Sequence, residues 1–431
     1  MDLQGKKLLV LGAADSVAKT PNLCYSSEID IVNYAHEMGL YVIVADSQTN
    51  WNLAPAKKIA DEGWDISWSD IDTLSKKCIE EKVDGVIAGF SEKRVFNAAK
   101  LCAVLGKPFY TDGADLDTIF NKAFFMNICQ KSHVDIPKQY NDYQEIEYPV
   151  VVKPVDNAGC RGVVTCKNKQ EFDIGIQDSL KYSNSKTVLV EEFVDGDQII
   201  VYFFIENGKP YFLLTLDALF LYQGEKDFEK NFCLSYPSRR HHSRVIATQY
   251  LQSFERLIQN LNIQNGFIGF QCLVTPDRIV VHDPTFRIDG SRLSLVLRSE
   301  IGINEIEMLI YYSINGAFPS CNTIKCLGSE GLSKIYQSFF ILLRPGVIGK
   351  INGISELKQI EGLLEVVPFK QTGDKVLDED FRSSMFCRIS LSADNKTDLK
   401  DKLCQVFDYI EVKDTVGNDL VIHPDLGVFL V

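Results

Sequence analysis

The 431-residue chain has no run of about eighteen consecutive apolar residues, so no segment reads as a membrane span. It has no Cys-x-x-Cys pair either. Its twelve cysteines are scattered, which argues for reduced thiols and against a disulfide frame or a zinc site. An excess of basic residues is also missing, and a net charge of −13 speaks against nucleic acid or an anionic membrane as a partner. Met1–Gly5 is mostly polar and the apolar run behind it is short, so no secretory leader is expected and a cytoplasmic location is. No low-complexity linker divides the chain, and 45% hydrophobic composition over this length suffices for several cores.

What is present begins with two apolar runs, Gly269-Phe270-Gln271-Cys272-Leu273-Val274 and Ile279-Val280-Val281-His282-Asp283-Pro284-Thr285-Phe286-Arg287, split by a Pro276-Asp277 turn. They read as a hairpin. Period-two alternation puts Asp283, Thr285 and Arg287 on one face, with Gln271 able to lie across from them. A carboxylate, an amide oxygen and a hydroxyl suit Mg²⁺, and a guanidinium suits phosphate charge. An edge strand with a surface ion pair would carry the same alternation. His282 points to the other face and reads as a core histidine.

Upstream, Tyr148-Pro149-Val150-Val151-Val152-Lys153 is a buried-strand run that leads into Asp156-Asn157-Ala158-Gly159-Cys160-Arg161-Gly162. Such a turn lets backbone amides approach phosphate, with Lys153 and Arg161 supplying charge. Thr187 to Gly196 is another apolar strand breaking into a polar bend, and Asn121-Lys122 opens an amphipathic segment. A lone glycine-rich turn is often only a hairpin. The order and spacing of all these pieces narrow the choice.

Together they resemble an ATP-grasp domain of the carbamoyl-phosphate-synthase-like and biotin-carboxylase-like branch, from about Leu116 to Ser291. The resemblance assigns Lys122, Lys153, Gly159, Arg161 and Gly162 to the nucleotide phosphates. It gives the adenine edge to the Glu192 carbonyl and Val194 amide with Glu191 nearby, and the ribose to Gln198. Gln271, Asp283 and Thr285 become the ligands of Mg²⁺ or Mn²⁺, where the family's usual motif has Glu and Asn at the last two positions. Arg287, Lys153 and Arg161 become the residues that stabilise the transferred phosphoryl group, and Ser291 and Arg292 face the acceptor substrate. The activity implied is an ATP-dependent ligase joining a small carboxylic acid to an amine through an acyl phosphate, with ADP and phosphate released. A nucleotide-binding protein without turnover, and an acid-phosphorylating or carboxylase-like enzyme, remain open, as does a homodimer.

Residues Lys6–Gly12, Tyr41–Asp46 and Val83–Gly89 read as parallel strands alternating with helices, a doubly wound sheet. The first turn, Gly12-Ala13-Ala14-Asp15-Ser16, lacks G-x-G-x-x-G spacing, so a dinucleotide fold is disfavoured and the segment resembles a preATP-grasp domain. Ala60-Asp61-Glu62 and Phe90-Ser91-Glu92 resemble that family's cleft loops, or are caps and solvated loops. Arg239-Arg240-His241-His242 reads as a solvated loop. The last segment has short strands at 346–353, 363–368 and 386–392 and a helix near Lys396–Val406, a small α+β domain. The expected organisation is therefore α/β and α+β multidomain: 1–115 preATP-grasp, 116–192 lid, 193–315 metal-binding subdomain and 316–431 C-terminal domain.

Overall fold

The computed structural model describes residues 3–13, 26–157, 161–220, 232–237, 242–377 and 381–427. The chain divides into two compact units, one of residues 1–110, 216–240 and 287–431 and one of residues 111–215 and 241–286.

In the first unit a four-stranded parallel sheet runs in the order Glu62–Trp64, Tyr41–Ala45, Lys7–Leu11, Gly85–Ala88. Leu8, Leu9, Val10, Val42, Ile43 and Val44 are fully buried, as continuous apolar strands covered on both faces must be. The strand Glu62–Trp64 was not expected. It corrects the reading of Ala60-Asp61-Glu62 as a cleft loop, because the Asp61 carboxylate accepts the Val42 amide at 2.7 Å and so anchors the sheet edge. Glu92 opens the helix Glu92–Leu105, whose Gly106 stop at φ +63 is a left-handed C-terminal cap.

An antiparallel sheet in the same unit joins Phe232–Tyr236 to Ile335–Leu343, then Met385–Ala393 and Leu363–Pro368. The helix Lys396–Tyr409, capped by the Asn395 side chain, buries Leu399, Leu403 and Val406 in the cluster that holds Phe339, Ile389 and Leu391.

The second unit has two sheets. Val164–Cys166, Val150–Pro154 and Val188–Glu192 form a three-stranded antiparallel sheet over Tyr140, Val152, Phe172 and Val190. Ile279–Thr285, Gly266–Val274 and Asp197–Glu206 form the other, continued by the start of Lys209–Phe220. Asn207 and Gly208, at φ +52 and +75, make the tight turn between the last two strands. Phe203, Phe254 and Phe270 pack with ring centroids 5.4–6.2 Å apart, and Phe125 on the helix Lys122–Lys131 joins them at 6.3 Å from Phe270. This aromatic layer fixes the Lys122 helix against the hairpin that carries Asp283.

Candidate nucleotide and metal site

Alternation along Ile279–Thr285 places Asp283 directly opposite Gln271, and a bulge between Gln271 and Cys272 breaks the register there. The Gln271 amide nitrogen lies 3.4 Å from Thr285 Oγ1, and Thr285 is buried. The amide, carboxylate and hydroxyl therefore share one face of the hairpin.

Two buried lysines converge on the same hairpin. Lys122 is the first residue of its helix, begun by the Asn121 side chain accepting the Ala123 and Phe124 amides, and its Nζ contacts Asp283 Oδ1 at 2.7 Å. Lys153 near the end of its strand is 4% exposed; its Nζ pairs with Glu191 Oε1 at 2.6 Å and reaches the His282 carbonyl at 3.4 Å. Each ammonium is thus matched to one carboxylate, as burial requires.

The cluster sets the protonation states. Burial pushes the Asp283 carboxyl up, but the charge and hydrogen bond of Lys122, with Lys153 behind it, outweigh burial and hold the group below the usual carboxylate range. Burial dominates at Glu191 and raises its carboxyl, with Lys153 opposing. Its Oε2 is enclosed with no hydrogen-bond partner among the described residues. Burial and the Lys153 charge drive the His282 imidazole down to about 3, so the ring is neutral. Its Nε2 is likewise enclosed and unpartnered among the described residues, which corrects the expectation of a satisfied core histidine. The charges of Lys153, Asp283 and Lys122 all act on the ring.

The remaining expected residues of this unit fall as follows. Arg161 is exposed, and its carbonyl accepts the Asn157 side chain at 3.5 Å. Gly162 sits at φ +78 against Tyr182 and Pro154, where a side chain would collide. Gly159, with Ala158 and Cys160, lies outside the described residues. Asp156, at the entrance of this turn, accepts the Ser183 hydroxyl and the amides of Asn184 and Ser185. Glu192 follows Glu191 directly, buried Val194 comes two residues later, and Gln198 pairs in register with Leu273. Arg239, Arg240 and His241 are outside the described residues. His242 is 6% exposed with Nε2 3.7 Å from Asp197, a placed side chain rather than part of a solvated loop.

In the first unit, Arg287 Nε contacts Glu92 Oε1 at 2.7 Å, and the Phe90 amide donates to the Ile288 carbonyl at 2.7 Å. The Phe90-Ser91-Glu92 loop therefore braces the segment that follows Phe286. Ser291 is buried; its amide bonds Asp289 and its carbonyl accepts the Tyr236 hydroxyl at 2.9 Å. Arg292 is 5% exposed at φ +66. It pairs with Asp30 at 2.5 Å and with Glu365, which in turn holds Arg388 through two bonds of 3.0 Å. A guanidinium buried this deeply needs such anions, and none of these partners lies near it in sequence.

Residues 119–291 match the model of an ATP-grasp domain. The chain is 22% identical over 340 residues to the formate-dependent phosphoribosylglycinamide formyltransferase of Prochlorococcus marinus subsp. pastoris, covering 74% of this chain and 79% of that protein. It is 29% identical over 128 residues to the D-alanine–D-alanine ligase of Fusobacterium nucleatum, covering 28% of this chain and 42% of that ligase. The crystal structure of the L-amino acid ligase from Bacillus licheniformis superposes with a TM-score of 0.73 at 18% identity, over 95% of this chain and 99% of that one, a likeness of fold. Among the described residues no helix is long and apolar enough to cross a membrane.

Proposed function

The chain carries an ATP-grasp domain, and from that premise we propose that it is an ATP-dependent ligase joining a small-molecule carboxylate to an amine. The observation that carries the reading is the buried pairing of Lys122 with Asp283 and of Lys153 with Glu191, beside the Gln271–Thr285 contact. Two ammoniums and a set of oxygen donors on one hairpin are what a triphosphate and a hard cation require.

The donor set fits Mg²⁺: Asp283 is anionic, and Gln271 and Thr285 add neutral oxygens on the same face. With a single carboxylate, these residues would hold the ion together with phosphate oxygens, and it would supply neutralisation of phosphate charge. Lys122, Lys153, Arg161, Gly159 and Gly162 are assigned to the phosphates, and Arg287, braced by Glu92, is assigned with Lys153 and Arg161 to stabilising the transferred group. The Glu192 carbonyl and Val194 amide hold adenine beside Glu191, and Gln198 the ribose. The acceptor side begins at Ser291 and Arg292.

In the reaction a carboxylate oxygen bonds to the γ-phosphorus as the bridging P–O bond breaks, its electrons leaving with ADP. The amine nitrogen then bonds to the acyl carbon, the acyl C–O bond breaks to release phosphate, and the surplus amine proton passes to solvent. The protein's share is positioning and charge. Phosphate release measured across pools of carboxylates and amines tests this: it should need one member of each pool. Release that needs no amine would instead indicate an acid-phosphorylating or carboxylase-like enzyme, and ATP binding without release a nucleotide-binding protein.

A further inference from the structure

The strand Val188–Glu192 is flanked on its outer side by residues 138–140. The Tyr140 amide donates to the Val190 carbonyl at 2.9 Å, and the Glu192 amide donates to the Lys138 carbonyl at 2.9 Å. An antiparallel ladder in that register would next bring the Lys138 amide to the Glu192 carbonyl, since narrow pairs exchange both bonds. That bond is diverted. The Lys138 amide donates at 2.8 Å to the Glu192 side chain, at Oε1. The same oxygen is held at 2.7 Å by Nη2 of Arg278.

Arg278 is itself fixed in the turn between the hairpin strands. Its amide is 3.2 Å from Thr275 Oγ1, and its carbonyl accepts the Thr275 amide at 2.9 Å. On the opposite side of the strand, the Phe193 amide donates to the Pro149 carbonyl at 3.1 Å, so the bend is secured from both flanks.

We infer that the Glu192 carboxylate, clamped by Arg278, keeps the Lys138 amide away from the Glu192 carbonyl and so reserves that carbonyl for the exocyclic amino group of adenine. Glu192 and Arg278 are then specificity-determining positions for the base: Glu192 acts through its side chain as well as its main chain, and Arg278 is a positioning residue. This rests on the nucleotide reading of the site.

The test compares the affinities of ATP and of ITP, whose base has a carbonyl where adenine has the amino group, in the full chain and in Glu192→Ala and Arg278→Met. In the wild type ATP should bind about tenfold more tightly than ITP, the worth of one well-placed hydrogen bond. Glu192→Ala should free the Lys138 amide to complete the ladder, so that ATP affinity falls to the level of ITP while ITP affinity stays put. Arg278→Met should narrow the ratio by a few-fold. A general loosening of the fold would weaken both nucleotides alike, and thermal unfolding of each variant separates that case. Should Glu192→Ala not fold, Glu192→Gln, which keeps an acceptor for Lys138 but gives up the ion pair, should behave like Arg278→Met. Variants that keep the wild-type ratio, or lose both nucleotides equally, overturn the inference while leaving the nucleotide site standing. A wild type that binds neither nucleotide overturns both.

Discussion

Glu305 offers a quantitative check on the polar interior of the first unit. It opens the helix Glu305–Asn315 and is 5% exposed, with Oε2 enclosed and no hydrogen-bond partner for it among the described residues. Burial raises its carboxyl from 4.5 to about 8; its own amide and that of Ser294 oppose the rise, Asp289 adds to it and Arg292 opposes it. Tyr34 and Tyr236, which also feel this carboxyl, are themselves held above the usual phenol range by burial. An acid raised in the fold favours the native state fully below its unfolded value and loses that advantage as pH climbs through the folded one. At about 1.36 kcal/mol per unit, the loss between pH 4.5 and about 8 is on the order of 4–5 kcal/mol. Glu305→Gln keeps the shape and removes the titration. In urea unfolding across pH 5–9, the wild type should lose stability relative to Glu305→Gln steadily up to about pH 8 and hold level above it. Parallel curves for the two proteins over that range would refute the reasoning.

Asp283→Ala should abolish ATP-dependent phosphate release and leave adenosine affinity within a few-fold, checked by a coupled phosphate assay and calorimetry, because the adenine contacts proposed above are at Glu192 and Val194. Lys153→Met should weaken ATP far more than adenosine and also destabilise by about 3–5 kcal/mol, since Glu191 is left as an unmatched buried carboxylate. Adding Glu191→Gln should recover most of that stability without recovering ATP affinity, a split that denaturation and binding measurements resolve. Gly353 and Gly373 share φ +93, but a side chain at Gly353 would run into the Tyr409 carbonyl while Gly373 faces open space. Gly353→Ala should therefore lower stability by about 3 kcal/mol or more and Gly373→Ala by about 1 kcal/mol. Equal losses would mean that backbone angle alone decides.

Much of the fold was legible where burial is two-sided. Leu8–Leu11, Val42–Ala45 and Val86–Ala88 are uninterrupted apolar runs, the signature of a covered parallel strand, and each strand appears where its run lies. The C-terminal strands and the helix from Lys396 also follow their apolar spacing. Several strands escaped, among them Asp197–Glu206 and Lys209–Phe220, and two of them show different reasons. Glu62–Trp64 has three residues, too few to show a period, and depends on Asp61 reaching Val42. Ile335–Leu343 carries Gln337 and Ser338 in its middle, which break the apolar pattern although both are buried in the sheet.

The site was legible in residue type and face, less so in partnership. Period-two alternation is a local property, so Gln271 could be set against Asp283 from the sequence, and the register places them opposite each other. What compensates a buried charge is not local. Lys122 meets Asp283 across 161 residues, Arg292 meets Asp30 across 262, and Glu365 is 73 residues from Arg292. A sequence presents each of these cations as available, because nothing near it in the chain neutralises it. The fold cannot leave it so, since a buried ammonium or guanidinium without an anion costs several kcal/mol. The expected pattern of free arginines and lysines around a phosphate therefore became a set of matched pairs, with Arg161, at the exposed end of the glycine-rich turn, the expected phosphate cation that stays in solvent. The Glu192 clamp was hidden for the same reason: Arg278 lies 86 residues from the carboxylate it holds, and only the register of residues 138–140 shows which amide that carboxylate has taken.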